Sequence, residues 1–137
     1  MNPVRRVLET SLYCDDPGRT ATFYREVLGF QTLYEDERLI ALDAGGGSVL
    51  LLFRRGASAA GADTPGGRIP PHDGAGPQHV AFAIGADDLP AWMARLAAHQ
   101  VAAESRVRWP RGGESLYLRD PEGHSVELAT PGVWAVY

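Results

Sequence analysis

The chain has 137 residues, of which 45% are hydrophobic and 22% charged, with a formal net charge of −4 and a pI near 5.5. This length suits one globular domain with its own core, and the acidic balance argues against nucleic acid as a partner. All 13 basic residues are arginine, which excludes Schiff-base chemistry on lysine. With a single cysteine, Cys14, no signal-peptide pattern and no apolar run of roughly 18 residues, the composition predicts a cytoplasmic protein without a membrane partner.

The first half of the chain predicts one strand, one helix and then three short strands. Alternation over 4–14 places Glu9, Ser11 and Tyr13 on one face of the first strand. A turn and N-cap at Asp15 and Asp16 precede a helix over 20–28, with Phe23, Val27 and Leu28 inward and Gly29 as C-cap. The strands are expected over 31–34, 39–42 and 48–53.

The segment 54–77 has a different composition from the rest of the chain. Glycine, alanine and proline dominate it, and it shows almost no hydrophobic periodicity. Long segments without a pattern are uncommon inside compact domains and are often flaps or linkers. We therefore expect a linker that also serves as a lid.

The second half repeats the first at a spacing of roughly 70 residues. A strand begins at His79, a helix covers about 89–99 with Trp92, Leu96 and Ala97 inward, and strands follow near 101–108, 115–118 and 125–129. Aligning the halves places Glu9 opposite His79 and residues 48–50 opposite 125–127. Each repeat is then one module, 4–53 or 78–131, followed by a tail over 132–137.

Glu127 is the unexpected residue of the last strand. A turn over 120–123 connects two strands, and Glu127 shares one strand face with Ser125 and Ala129. A buried carboxylate without a partner costs several kcal/mol or takes up a proton. This residue therefore either faces water or has a partner.

Three motifs give the chain a family resemblance. They are D-P-G-x-x-x-x-F-Y-x-x-x-L-G-F over 16–30, Q-H-V-A-F over 78–82 and D-P-E-G-H-S-V-E-L over 120–128. With the repeat, they resemble the vicinal oxygen chelate superfamily, which includes glyoxalase I, extradiol dioxygenases, fosfomycin-resistance enzymes and bleomycin-binding proteins. The resemblance implies an α+β fold in which two βαβββ modules form a cupped mixed sheet within one domain, 1–137.

The resemblance also implies a metal site. Its ligand positions correspond to Glu9, His79 and Glu127, a set suited to one divalent Mn, Fe, Co, Ni or Zn ion. The expected function is a metal-dependent lyase, isomerase or dioxygenase acting on a small oxygen-rich substrate, with Glu127 or Glu9 as general base. Most metal-binding members have His or Gln where this chain has Glu9, and a further glutamate of glyoxalase I corresponds to Leu50 or Leu51.

Two alternatives stay open at this point. In one, Glu9, His79 and Glu127 share protons and hydrogen bonds without a metal. In the other, the chain is a metal-free ligand-binding or antibiotic-sequestering protein of the bleomycin-resistance type. The resemblance further implies a homodimer in which the site is shared between chains, with the apolar tail at the interface or over its own sheet. The residues expected to contact the substrate are Ser11, Tyr13, Trp109, Arg111 and Tyr117, with Ser11, Tyr13 and Tyr117 lining one concave surface.

Overall fold

The computed structural model describes all residues from Met1 to Tyr137, and the chain divides into two compact units, Met1–Gly76 and Pro77–Tyr137. Each unit contains a helix and a four-stranded mixed sheet with the same connectivity. The predicted α+β fold with two βαβββ modules is therefore confirmed. Neither helix combines the length and apolar character that a membrane crossing requires.

The first unit is built on a sheet with the order β1-β4-β3-β2. Strand β1 pairs in parallel with β4, and the two remaining pairs are antiparallel. Its core is mainly aliphatic, and Leu12, Leu42 and Leu52 are among its most deeply buried residues. The elements are β1 (Glu9–Cys14), α1 (Pro17–Leu28), β2 (Gln31–Glu35), β3 (Leu39–Asp43) and β4 (Val49–Arg54).

Helix α1 begins three residues earlier than predicted. Asp16 accepts a hydrogen bond from the Arg19 amide at 3.0 Å, and Pro17 occupies the first turn, where its missing N–H is not needed. Gly29 ends the helix with φ of 80°, as its position predicted. Val27 and Leu28 are buried as expected, while Tyr24 is fully buried and Phe23 only half-buried.

The segment 54–77 is not without structure. It contains the hairpin of β5 (Ala62–Thr64) and β6 (Gly67–Ile69), and Ser58 is buried with 1% of its surface exposed. Arg55 joins this segment to β1 by an ion pair with Asp15 at 2.5 Å. The linker-like composition therefore reflects tight turns and short strands that lack the period-2 pattern.

The second unit repeats the topology with the order β7-β10-β9-β8. Strand β10 lies in the middle, parallel to β7 and antiparallel to β9. The core is again aliphatic, with Leu116, Leu118 and Leu128 almost fully buried. The elements are β7 (His79–Ala83), α2 (Leu89–Ala98), β8 (Ser105–Arg108), β9 (Glu114–Arg119) and β10 (Ser125–Ala129).

Three expectations about element limits and burial were wrong. The first strand begins at Glu9 and not near residue 4, and Val4, Val7 and Leu8 before it are exposed. Strand β8 begins at Ser105 and not near 101. Ala97 of α2 is exposed, because Leu96 alone fills the inward position there.

The register also corrects the alignment of the two halves. Glu9 pairs with Val49 in the first unit, and His79 pairs with Ser125 in the second. Two residues further along, Leu51 therefore occupies the place that Glu127 has in the second unit. The sequence alignment placed Leu50 there, and a shift of one residue moves a side chain to the other face of a strand.

Gly113 lies at a position in the second unit where the neighbouring backbone leaves no room for a side chain. A β-carbon at this buried position would lie 2.5 Å from the Gly132 carbonyl carbon and 2.6 Å from the Val133 amide nitrogen. Since both atoms belong to backbone, we expect Gly113→Ala to lower the free energy of unfolding by about 1–3 kcal/mol, measured by urea titration. Gly66→Ala is the control, because its nearest neighbour would be 3.9 Å away. Equal midpoints for the two variants would contradict the packing described.

Candidate functional site in the sheet of the second unit

His79 and Glu127 project from neighbouring strands onto the same face of the second sheet. His79 lies opposite Ser125 in the pairing of β7 with β10, and Glu127 is two residues beyond Ser125. Residues two apart on a strand share a face, so the two side chains meet. His79 Nε2 and Glu127 Oε2 are 3.3 Å apart. The predicted proximity of these two residues is present in the structure.

The second ring nitrogen of His79 has its own partner. His79 Nδ1 lies 3.0 Å from the carbonyl oxygen of Ser125. A carbonyl oxygen only accepts, so Nδ1 carries the proton in this bond. In the neutral imidazole, Nε2 then presents its lone pair towards the Glu127 carboxylate. The two facing atoms are held together either by a proton on Nε2 or by a cation between them.

The other oxygen of Glu127 is occupied by Ser115. Ser115 Oγ lies 2.5 Å from Glu127 Oε1, and the indole nitrogen of Trp109 donates to Ser115 Oγ at 2.8 Å. Ser115 is completely buried and Glu127 is 6% exposed. The burial of the carboxylate is thus compensated by a hydroxyl on one oxygen and an imidazole on the other.

Tyr117 completes the same face. It lies directly opposite Glu127 in the pairing of β9 with β10, and its ring stacks on His79 with 6.2 Å between centroids. Burial raises the pKa of the Tyr117 hydroxyl, and the negative charge and hydrogen bond of Glu127 raise that pKa further. Tyr117 therefore stays a neutral hydrogen-bonding group beside the carboxylate.

These residues line a cavity of about 450 Å³, which we call the Glu127 cavity. Its floor is formed by small side chains, and the C-terminal tail lies over part of it. The tail is held by a hydrogen bond from Tyr137 Oη to the Ile84 carbonyl at 2.7 Å. The tail thus contacts its own unit through Tyr137, while Trp134 and Val136 are largely exposed, and its place at an interface stays a prediction. The lining residues are His79, Ala81, Phe82, Ala83, Trp109, Tyr117, Glu127, Ala129, Val133, Trp134 and Tyr137.

The first unit has a second concave surface, which we call the Glu9 cleft. It measures about 720 Å³ and is lined by Glu9, Ser11 and Tyr13 from β1, with Phe53 beneath them. Tyr13 Oη shares a hydrogen bond of 2.7 Å with Nδ1 of His72, which comes from the segment 54–77. The ring of His72 also meets Phe53 edge-on at 4.6 Å.

The structure thus distributes the predicted site residues over two surfaces. Ser11 and Tyr13 line the Glu9 cleft and Tyr117 lines the Glu127 cavity, and the expectation that all three line one surface stays a prediction. No group of three histidine, cysteine, aspartate or glutamate side chains within the chain is arranged to hold a metal. The set of Glu9, His79 and Glu127 as ligands of one ion stays a prediction. Arg111 is exposed and lines neither surface.

Sequence reasoning did not assign four residues that the structure places at these surfaces. Ser115 shares the parity of Tyr117 on β9, so strand alternation alone could have found it. His72, Trp134 and Tyr137 lie outside the repeated strands, and no periodic signal marks them. Cys14 is buried at the end of β1.

The match to a family is now clear. The family model of the Glyoxalase/Bleomycin resistance protein/Dioxygenase superfamily matches residues 6–128. The chain therefore belongs to this superfamily, which confirms the resemblance found in the motifs.

Relatives of known activity are enzymes of this superfamily. The chain is 32% identical to the catechol-2,3-dioxygenase of Bacillus subtilis over 114 residues, which cover 80% of this chain and 36% of that protein. It is 37% identical to the metallothiol transferase FosB of Bacillus licheniformis over 59 residues, 41% of this chain and 37% of the relative. The chain thus spans little more than a third of the length of these relatives. Its kinship with enzymes is confirmed at the level of the superfamily.

Solved structures show the same fold over the whole chain. A lactoylglutathione lyase from Agrobacterium tumefaciens is 34% identical, with a TM-score of 0.88 and coverage of 98% of this chain and 99% of that chain. An integron cassette protein from the Halifax Harbour sewage outfall has a TM-score of 0.74 at 20% identity, with coverage of 93% and 99%. The second likeness concerns the fold alone.

Tyr13 gives the Glu9 cleft a measurable pH dependence. Burial raises the pKa of Tyr13 above its ordinary value of about 10, and the charge of Asp73 raises it further. The folded protein therefore holds this proton longer than the unfolded chain does. The resulting stability is complete below the unfolded pKa and is lost as the pH rises through the folded pKa. We expect Tyr13→Phe to reduce the alkaline loss in free energy of unfolding, measured by urea titration below and above pH of about 10.

Asp73→Asn removes only the charge of Asp73, the smaller of the two causes that raise the pKa of Tyr13. It should therefore reduce the alkaline loss in free energy of unfolding less than Tyr13→Phe does. An unchanged pH dependence in the Tyr13→Phe protein would show that this side chain is not perturbed by the cleft.

Proposed function

We propose that the chain is a metal-dependent enzyme that acts on a small oxygen-rich substrate in the Glu127 cavity. The observation that carries the proposal is the arrangement of His79 Nε2 and Glu127 Oε2, 3.3 Å apart with their remaining polar atoms already bonded. Ligating histidines usually donate their other nitrogen to a carbonyl or carboxylate, and ligating carboxylates usually accept a further hydrogen bond. Both features are present here.

The donor atoms fit a divalent ion of the Mn, Fe, Co, Ni or Zn group. One imidazole nitrogen and one carboxylate oxygen come from the second unit, and we propose that Glu9 of a second copy supplies the third ligand. The protein would then be a homodimer whose site is shared between chains. When bound, such an ion supplies Lewis-acid stabilisation to neighbouring oxygens of the substrate.

The side chains around the pair have separate roles in this proposal. Glu127 and Glu9 are the candidate bases, and because Ser115 occupies Oε1 of Glu127, Oε2 is the atom able to take a proton once it releases the ion. Trp109 and Tyr117 would flank the substrate. From the second copy, Ser11 and Tyr13 would contact it, and Arg111 of the exposed loop would attract an anionic substrate.

The reaction is proposed only as a class. The relatives include a lyase, a dioxygenase and a thiol transferase, which catalyse different reactions. We therefore propose only that this chain is a lyase, an isomerase or a dioxygenase acting on a chelating substrate. Glu9 distinguishes this chain from most metal-binding members, which have His or Gln at that position. With Glu9 as a ligand, two carboxylates instead of one would contribute negative charge to the ion. A cytoplasmic location is part of the proposal and agrees with a chain whose single cysteine, Cys14, is buried.

Isothermal titration of the metal-free protein with each of the five ions tests the proposal. We expect at least one ion to bind, and we expect Glu127→Gln and His79→Ala each to weaken binding by more than tenfold, because each removes a ligand. Glu26→Gln on the exposed side of α1 is the matched control and should bind as the wild type does. A wild-type protein that binds none of the ions would dispose of the metal-dependent function.

A mixing experiment tests the shared site. Glu9→Gln and Glu127→Gln chains, each defective alone, are unfolded together and refolded. If each site takes Glu9 from one chain and Glu127 from the other, random pairing restores about a quarter of the sites. Ion binding is then measured by titration and assembly by sedimentation velocity. No recovery in mixed dimers, or a monomer at micromolar concentration, would contradict the shared site.

A second function is favoured by the aromatic lining of both surfaces. Trp109, Tyr117 and Trp134 line the Glu127 cavity, and Tyr13 and Phe53 line the Glu9 cleft. We propose as the alternative a metal-free protein that binds or sequesters a flat ligand, as the bleomycin-resistance branch of the superfamily name suggests. Under this alternative, a protein with both Glu9→Ala and His79→Ala keeps its affinity for the ligand. Under the metal-dependent function the same protein loses both ion binding and activity.

A further inference from the structure

Trp109, Ser115 and Glu127 form a continuous hydrogen-bonded series, which we call the relay. The Trp109 indole nitrogen lies 2.8 Å from Ser115 Oγ, and that oxygen lies 2.5 Å from Glu127 Oε1. Ser115 has no exposed surface, so water does not compete for its hydroxyl. Its hydrogen bonds with Trp109 and Glu127 are made entirely within the protein.

The chemistry of the three groups fixes the direction of every hydrogen bond in the relay. An indole N–H only donates, so Ser115 Oγ must accept from Trp109. An ionised carboxylate only accepts, so the hydroxyl proton of Ser115 must point to Glu127. The Tyr117 hydroxyl also interacts with both Ser115 and Glu127, but the indole N–H of Trp109 can only donate, so it leaves the hydroxyl proton of Ser115 directed to Glu127.

The loop that carries the indole is itself fixed. The Trp109 amide donates to the Gly113 carbonyl at 2.8 Å, and the Gly112 amide donates to the Trp109 carbonyl at 2.9 Å. The Gly113 amide in turn reaches the Gly132 carbonyl at 3.3 Å. Backbone hydrogen bonds therefore hold the loop that carries the indole, independently of the contact with Ser115.

The relay constrains the carboxylate of Glu127. With Oε1 bound to the hydroxyl, the carboxylate cannot rotate about its last bond without breaking a short, buried hydrogen bond. Oε2 is thereby kept on the side of His79 Nε2.

We propose that Ser115 and Trp109 are positioning residues that hold Glu127 Oε2 in place as a metal ligand. This inference rests on the proposed metal-dependent function. Neither residue supplies a ligand itself. Trp109 acts on Glu127 indirectly, through its hydrogen bond to Ser115. Because the Trp109 ring also lines the Glu127 cavity, a substrate bound there would contact a residue that helps to orient the Glu127 carboxylate.

The test compares Ser115→Ala and Trp109→Phe with the wild type. Loss of a group that orients a ligand typically costs 10–100-fold in metal affinity. We expect a loss of that size in Ser115→Ala and a smaller, several-fold loss in Trp109→Phe, which keeps the ring and removes only the N–H. Both affinities are measured by calorimetric titration. Trp92→Phe is the matched control, because Trp92 lies on α2 and lines neither surface.

The indole N–H resonance of Trp109 gives a readout that a merely structural role would not move. In the metal-free protein, Ser115→Ala should shift this resonance towards that of an unbonded indole. On addition of Zn²⁺, the resonance should move in the wild type and stay in place in Ser115→Ala. The Trp92 resonance should be unaffected throughout.

The outcomes separate the inference from the function on which it rests. If the wild type binds an ion and Ser115→Ala binds it equally well, the relay does not position the ligand and the inference is overturned while the function stands. If the wild type binds no ion, the proposed function is overturned, and the ligand role of the relay with it. If Ser115→Ala does not shift the Trp109 indole N–H resonance in the metal-free protein, Trp109 does not bond to Ser115 and the relay is absent.

Discussion

The burial of the Glu127 carboxylate is the constraint on which the rest of the second unit depends. Only 6% of this residue is exposed, in the middle strand of a sheet whose other buried residues are mainly aliphatic. A carboxylate in such a place is destabilising by several kcal/mol unless its oxygens are bonded. Ser115 satisfies one oxygen and His79 faces the other. Replacing such a buried polar arrangement by well-packed aliphatic side chains is often neutral or stabilising, so stability alone does not explain the arrangement.

The two units show what changes when the same topology carries different side chains. The register places Leu51 in the first unit where the second has Glu127, and Glu9 where the second has His79. Under the proposed function, the second module would supply two ligands and the first module one, so both kinds of module would be needed to complete one site.

Much of this could be predicted from the sequence. The repeat and the strand order follow from spacing and turn residues, and the shared face of His79 and Glu127 follows from strand parity. The residues that were missed depend on tertiary contacts that have no period in the sequence. His72 reaches Tyr13 from the segment 54–77, where short strands and turns leave no pattern. The alignment of the halves was wrong by one residue because hydrophobic residues occupy both faces of β4, so alternation could not fix its register.

Anomalous scattering from crystals of the metal-soaked protein, recorded at the absorption edge of the ion that binds, tests the central claim most directly. The account predicts one peak per chain, in bonding contact with both His79 Nε2 and Glu127 Oε2, with Glu9 of a second copy next to it. Well-ordered crystals in which the ion lies elsewhere, with His79 and Glu127 still in direct contact with each other, would contradict it.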